Sequence, residues 1–211
     1  MPSFPFKLCA DDYALSPAVS AGILEALVAG RLSATSVMAN RPDWPRAASE
    51  LVRTAPGAEI GLHLNLTLGT PLSSMPVLAP GGRFPALSRL IANARRGRLP
   101  ADEIRTEIAA QLDAFADALG RAPAYIDGHQ HVHVLPGVRA VLFEVLGARG
   151  LAGGLWLRDS ADRLSRILRR RVEAPKALAL ALFGRGFAAQ AGRSEEHTSE
   201  LQSLAYLVCR L

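Results

Sequence analysis

Apolar and polar positions along this chain switch between two periods, and the switches mark its elements. The apolar run FKLCA at residues 6–10 precedes Asp11-Asp12 and predicts a buried strand. Ser16-Pro17 supplies an N-cap followed by proline at the first helical position. Val19, Ile23 and Leu27 then repeat at helical spacing until Gly30. LSATSVMA at 32–39 is rich in β-branched residues and predicts the second strand. A short helix is predicted over 45–54, ended by Pro56-Gly57, and IGLHLN at 60–65 is the third strand. Residues 66–100 read as irregular apart from a short helix near 87–94. A long helix is predicted over 101–119, with Ile104, Ile108, Leu112, Phe115 and Leu119 on one face. Strands at 124–127 and 154–157 flank a helix at 138–148, and helical patterns follow at 164–172 and 177–183. Such alternation predicts an α/β fold with a parallel sheet and helical crossovers. An open doubly wound sheet and a closed barrel both satisfy it. No glycine-rich phosphate loop follows any strand, which disfavours a nucleotide-binding protein.

Composition narrows the class. The 211 residues are 49% hydrophobic and 20% charged, with a mean hydropathy of +0.16, which excludes a disordered chain and predicts a soluble domain with a core of its own. The longest apolar run, 177–183, falls far short of the ~20 residues of a membrane span. The first residues show no charged-then-apolar leader, so a cytoplasmic location is expected. Cys9, inside the first apolar run, is expected as a reduced buried thiol.

The last residues change the length and the charge. RSEEHTSELQS at 193–203 is what the genetic code gives for a standard sequencing-library adapter. After a gap that fits a short barcode, LVCRL at 207–211 matches the continuation of the same adapter in frame. Residues 193–211 are therefore read as translated adapter, and residues 1–192 as the genuine segment of a C-terminally truncated domain. Removing two basic and three acidic residues with that tail raises the net charge from +5 to +6. Re-reading the coding DNA past residue 192 is expected to find a frame that continues for several tens of residues. A genuine stop codon shortly after Gly192 would refute this.

Candidate chemistry collects at strand ends, where parallel α/β folds place their sites. Asp11-Asp12 follows the first strand, His63 lies in the third, DGHQHVH at 127–133 follows the fourth, and Arg158 follows the fifth. Adjacent carboxylates on extended chain diverge, so one can bind a cation while the other faces a water and acts as a base. Histidines at i, i+2 and i+4 point to one side of an extended chain, and imidazole is a frequent metal ligand. Two histidines with one carboxylate form a facial triad with open positions, and the lack of thiolate ligands disfavours a structural zinc site. A facial-triad Fe(II) oxygenase fits poorly, because those enzymes usually sit on a double-stranded β-helix.

With these residues in place, ADDYALS (10–16), SVMAN (36–40), GLHLNLTLGTPLS (61–73) and DGHQHVHVLPGV (127–138) resemble the YdjC-like carbohydrate deacetylases, a group with chitooligosaccharide and hopanoid-biosynthesis branches. The resemblance covers most of residues 6–158. It implies a (β/α) barrel of the NodB-like deacetylase type and a divalent metal, usually Mg²⁺ and sometimes Zn²⁺. The implied reaction is hydrolysis of a linear amide C–N bond that removes N-acetyl groups from sugars. It assigns Asp11 as catalytic base and Asp12, His63 and His129 as metal ligands. Arg158 orients the base, and Asp127, His131 and His133 become supporting or substrate-side groups. The family's general acid is a histidine in a His-Pro motif near the C-terminus, and no His-Pro occurs in this chain. The alternative reading is accordingly a binding-only chain that keeps the metal site without turnover.

Arg95, Arg96 and Arg98, with Arg163, Arg166 and Arg169 to Arg171, read as solvated helix faces, with an anionic lipid headgroup as the functional alternative. Nucleic acid is disfavoured by the lack of interleaved aromatics and of any binding motif. The expected partner is an N-acetylated sugar, with no transmembrane segment. A homodimer is left open.

Overall fold

The computed structural model describes residues 7–158. Five parallel strands, β1 (Cys9–Tyr13), β2 (Ala34–Val37), β3 (Glu59–Leu64), β4 (Tyr125–Gly128) and β5 (Trp156–Leu157), stand side by side in chain order. The helices are α1 (Pro17–Val28), α2 (Trp44–Thr54), α3 (Leu87–Arg95), α4 (Ala101–Leu119) and α5 (Val138–Ala148). Among the described residues the strand order never reverses, and α1, α2, α4 and α5 pack in sequence against one another. A doubly wound sheet would show a reversal, so that alternative is set aside for this part of the chain. The helical patterns at 164–172 and 177–183, the arginines from Arg163 to Arg171 and the tail at 193–211 lie outside the described residues.

Local signals explain most boundaries. Ser16 is extended and its hydroxyl accepts from the Val19 N–H at 3.3 Å, capping α1 as its position before Pro17 predicts. Gly120, with φ of 64°, ends α4 in the left-handed conformation that glycine adopts without strain. The first strand differs from expectation. It starts at Cys9 rather than at residue 6 and runs through Asp11-Asp12 to Tyr13, so the carboxylates lie within the strand and not after it. The register against β2 slips between Ala10 and Tyr13, and Asp12 has φ of 70°. A bulge of this kind re-aims side chains at the sheet rim.

The sheet buries both faces. Ile60, Leu62, Leu64, Val37 and Ile126 join the main core beneath the helices with Ile23, Leu51, Ile108, Phe115 and Leu142. On the other face a small layer of Cys9, Ala34 and Tyr125 packs with Trp156, and the polar residues Ser36, His63, Asp127 and Arg158 lie one step further along the strands. Cys9 is buried as expected, with no disulfide among the described residues; its Sγ lies 2.8 Å from the Tyr125 hydroxyl, and burial is the main cause that pushes its pKa well up. Tyr125 also stacks on Trp156 with centroids 4.2 Å apart. Gly61 leaves the room for that ring, since a Cβ there would press into it. Gly61→Ala is expected to destabilise the fold by about 1–3 kcal/mol through overpacking. A denaturant midpoint equal to that of the parent would contradict this packing.

Residues 65–80, beyond β3, are pinned to α4. Glu107 and Gln111 are fully buried. Glu107 accepts from the backbone N–H of Leu72 (3.1 Å) and Ser73 (2.8 Å), and Glu103 from those of Val77 and Leu78. Gln111 bonds both the N–H and the carbonyl of Asn65, two residues after His63. No described helix is long and apolar enough to cross a membrane.

Candidate active site

The C-terminal ends of β1, β3 and β4 bring together three side chains that could hold a metal ion. Asp12, His63 and His129 offer donor atoms that all lie within 4.8 Å of one another. Asp12 Oδ1 stands 3.1 Å from His63 Nε2 and 2.7 Å from His129 Nδ1, and the two imidazoles meet edge to face at 5.5 Å. Burial alone would raise the Asp12 pKa, but the hydrogen bonds from His129 and His63 outweigh it and hold this carboxyl far below the usual range. Burial likewise opposes charging of His63, yet Asp127, Asp12 and Asp11 around it push its pKa up to about 10.

Beneath this trio Asp127 ties the strand ends together. It is 1% exposed; its Oδ1 accepts from His63 Nδ1 at 2.7 Å and its Oδ2 from Arg158 Nη1 at 2.7 Å. Arg158 Nη1 also donates to both oxygens of Asp11, at 2.8 and 2.9 Å. Burial and the Asp127 charge raise the Asp11 pKa, while His63 and Arg158 pull the other way. The Ser36 hydroxyl lies 3.3 Å from Asp11 Oδ1 and 3.1 Å from both His63 Nδ1 and Asp127 Oδ2. Ser36 is not among the residues that the sequence pattern singles out. Its signal is the strand alternation, which puts it on the face of Ala34 and beside Gly61 in the adjacent strand.

The histidine run departs from expectation. Residues His129–Val134 form a 3₁₀ turn, with Gln130 and His131 at φ of 53° and 61°, instead of an extended chain with three histidines on one side. The turn therefore separates them. His129 reaches Asp12, His131 lines the pocket above, and His133 is buried and donates from Nε2 to the Arg158 carbonyl at 2.9 Å. Burial is the main cause that lowers the His133 pKa to about 4, leaving a neutral ring.

A pocket of about 230 Å³ opens over Asp11, Asp12, His63 and His129, with Leu15, Val19 and Ile23 as its apolar side. The donor set suits a divalent cation. One carboxylate and two imidazoles are hard-to-borderline ligands. The Asp127 contact to His63 Nδ1 is the outer hydrogen bond that orients metal-binding histidines and leaves Nε2 facing the site.

Comparison with known proteins finds that the family model of YdjC-like proteins matches residues 6–206. A chitooligosaccharide deacetylase of Enterobacter sp. (strain 638) is 40% identical over 144 residues, covering 68% of this chain and 56% of that protein. A carbohydrate deacetylase of Homo sapiens is 36% identical over 176 residues, covering 76% of this chain and 54% of that protein. The chain spans about half the length of these curated relatives. A crystal structure from Enterococcus faecalis V583, provisionally described as a cellobiose-phosphate cleavage protein, aligns with a TM-score of 0.61 at 25% identity, covering 83% of this chain and 63% of that one.

Proposed function

The chain belongs to the YdjC-like family, and from that premise we propose that it is a metal-dependent hydrolase removing N-acetyl groups from amino sugars of chitooligosaccharide or glycolipid type. The observation that carries this reading is the pairing of the Asp12, His63 and His129 donor cluster with a separate carboxylate, Asp11, held by Arg158 at the same pocket. The sequential sheet with its helices in file is read as the arc of a (β/α) barrel of the NodB-like type.

Asp12, His63 and His129 would hold a divalent ion, with Mg²⁺ the first expectation and Zn²⁺ the second. Such an ion supplies polarisation of a carbonyl oxygen and a lowered pKa for water. Asp11 is the base. Its carboxylate lines the pocket, fixed by two bonds from Arg158, and takes a proton from the attacking water at an Oδ. Burial and the Asp127 charge raise its proton affinity above that of an ordinary aspartate, against the pull of His63 and Arg158. Asp127 holds the Arg158 and His63 side chains in place, and buried, neutral His133 braces the Arg158 backbone. The pocket is smaller than the ~300–1,000 Å³ typical of sites that enclose a whole ligand. In this reading it takes the reacting acetyl end, and the rest of the sugar extends beyond the described pocket.

Acetate release from N-acetylated chitooligosaccharides tests this reading, with added Mg²⁺ or Zn²⁺ and with chelator, on the protein encoded by the continued reading frame. Chelator-sensitive acetate is the expected result, and none at all would refute the reading for that substrate class. The chain as given lacks a His-Pro. If it binds metal without releasing acetate while the continued frame releases it, the binding-only alternative describes this chain.

A further inference from the structure

We propose that the excursion between β3 and α4 docks the protein on an anionic lipid surface. Residues 60–101 contain five arginines, Arg83, Arg89, Arg95, Arg96 and Arg98, and no acidic residue. All five are exposed, and none forms an ion pair with another described residue. Helix α3 turns Leu90 and Ala94 inward and Arg89 outward, and exposed Arg96 caps its C-terminal end.

The carboxylates nearest in sequence are already engaged. Glu103 and Glu107 accept the loop's own N–H groups, and Asp102 is bonded to Arg105. These bonds also fix two apolar side chains at the surface. Val77 is 66% exposed and pinned to Glu103 in the first turn of α4, which Arg98 almost directly precedes; Leu72 is 47% exposed and pinned one turn further on. Exposed apolar side chains on the same excursion as cations that form no ion pair with a described residue match a bilayer with anionic headgroups, which supplies both an apolar layer and negative charge. Nucleic acid fits less well, because single strands bind by stacking on aromatics, and the lone aromatic of the excursion, Phe84, is buried. The excursion leaves the C-terminal end of β3, the end that carries the candidate site, so docking would present that end toward the lipid.

Co-sedimentation of the whole chain with phosphatidylcholine vesicles, with and without phosphatidylglycerol, tests the proposal independently of any deacetylase activity. Binding is expected only with phosphatidylglycerol and should weaken as salt rises. Each of Arg95→Ala, Arg96→Ala and Arg98→Ala should lower the partition coefficient about fivefold. Leu72→Ser with Val77→Ser should lower it further, whereas Arg31→Ala with Arg53→Ala, exposed arginines outside the excursion, should leave it unchanged. Equal binding to both vesicle types, no binding to either, or an equal loss in the Arg31/Arg53 pair would overturn the proposal. Displacement from the vesicles by a single-stranded oligonucleotide at equal charge would overturn it in favour of a nucleic-acid partner.

Discussion

Replacing Asp11 with asparagine is expected to lower kcat for acetate release by about 10²–10⁴-fold, the usual contribution of a positioned general base. The substitution keeps the shape of the side chain and removes the proton acceptor. Arg158 retains its bond to Asp127, so the site should not collapse. Asp11 is outside the donor cluster of Asp12, His63 and His129, so metal affinity should stay within a few-fold of the parent, as an order-of-magnitude expectation. The informative outcome is this split between lost turnover and retained metal. Acetate release at the parental rate would remove Asp11 from the role of base.

The second large effect is on folding. Asp127 is buried at the meeting point of His63, Arg158 and Ser36, with two contacts of 2.7 Å. Asp127→Ala takes the carboxylate away and leaves a buried guanidinium and imidazole facing an apolar gap. Breaking a buried pair from one side costs about 3–5 kcal/mol, a large part of the ~5–15 kcal/mol that holds a typical domain together. Arg158 would keep Asp11, which is 18% exposed and the weaker anchor of the two. Chemical denaturation should report this as a midpoint shift far beyond that of an exposed control such as Asp102→Ala. A shift no larger than the control's would show that Asp127 does not tie the strand ends together.

How much was legible depended on whether the deciding interaction was local. The cap at Ser16-Pro17 and the stripe Ile104, Ile108, Leu112 and Phe115 are written in neighbouring residues, and both stand as predicted. The convergence of Asp12, His63 and His129 follows from strand ends sharing one rim, which the strand alternation predicts; that Asp12 and His129 are the members that join His63 was implied by the family resemblance and not by spacing. Two features depended on backbone conformations that residue types do not advertise. Gln130 and His131 adopt positive φ without being glycine, so a spacing argument based on extended chain placed the three histidines together when the turn separates them. Asp12 does the same within the β1 bulge, which the sequence did not signal, while the divergence of the two carboxylates, Asp11 to Arg158 and Asp12 to the histidines, is the one expected for adjacent residues. Ser36 was hidden for another reason. A serine in a strand gains meaning only from the register that sets it beside the Asp127 and His63 rows.

Equilibrium binding of a divalent ion to the purified protein tests the central claim most directly. The site predicts one equivalent of Mg²⁺ or Zn²⁺ per chain, lost in Asp12→Ala and in His129→Ala and retained in Asp11→Asn. Equal stoichiometry and affinity in the parent and in both ligand variants would contradict the assignment of this cluster as the metal centre.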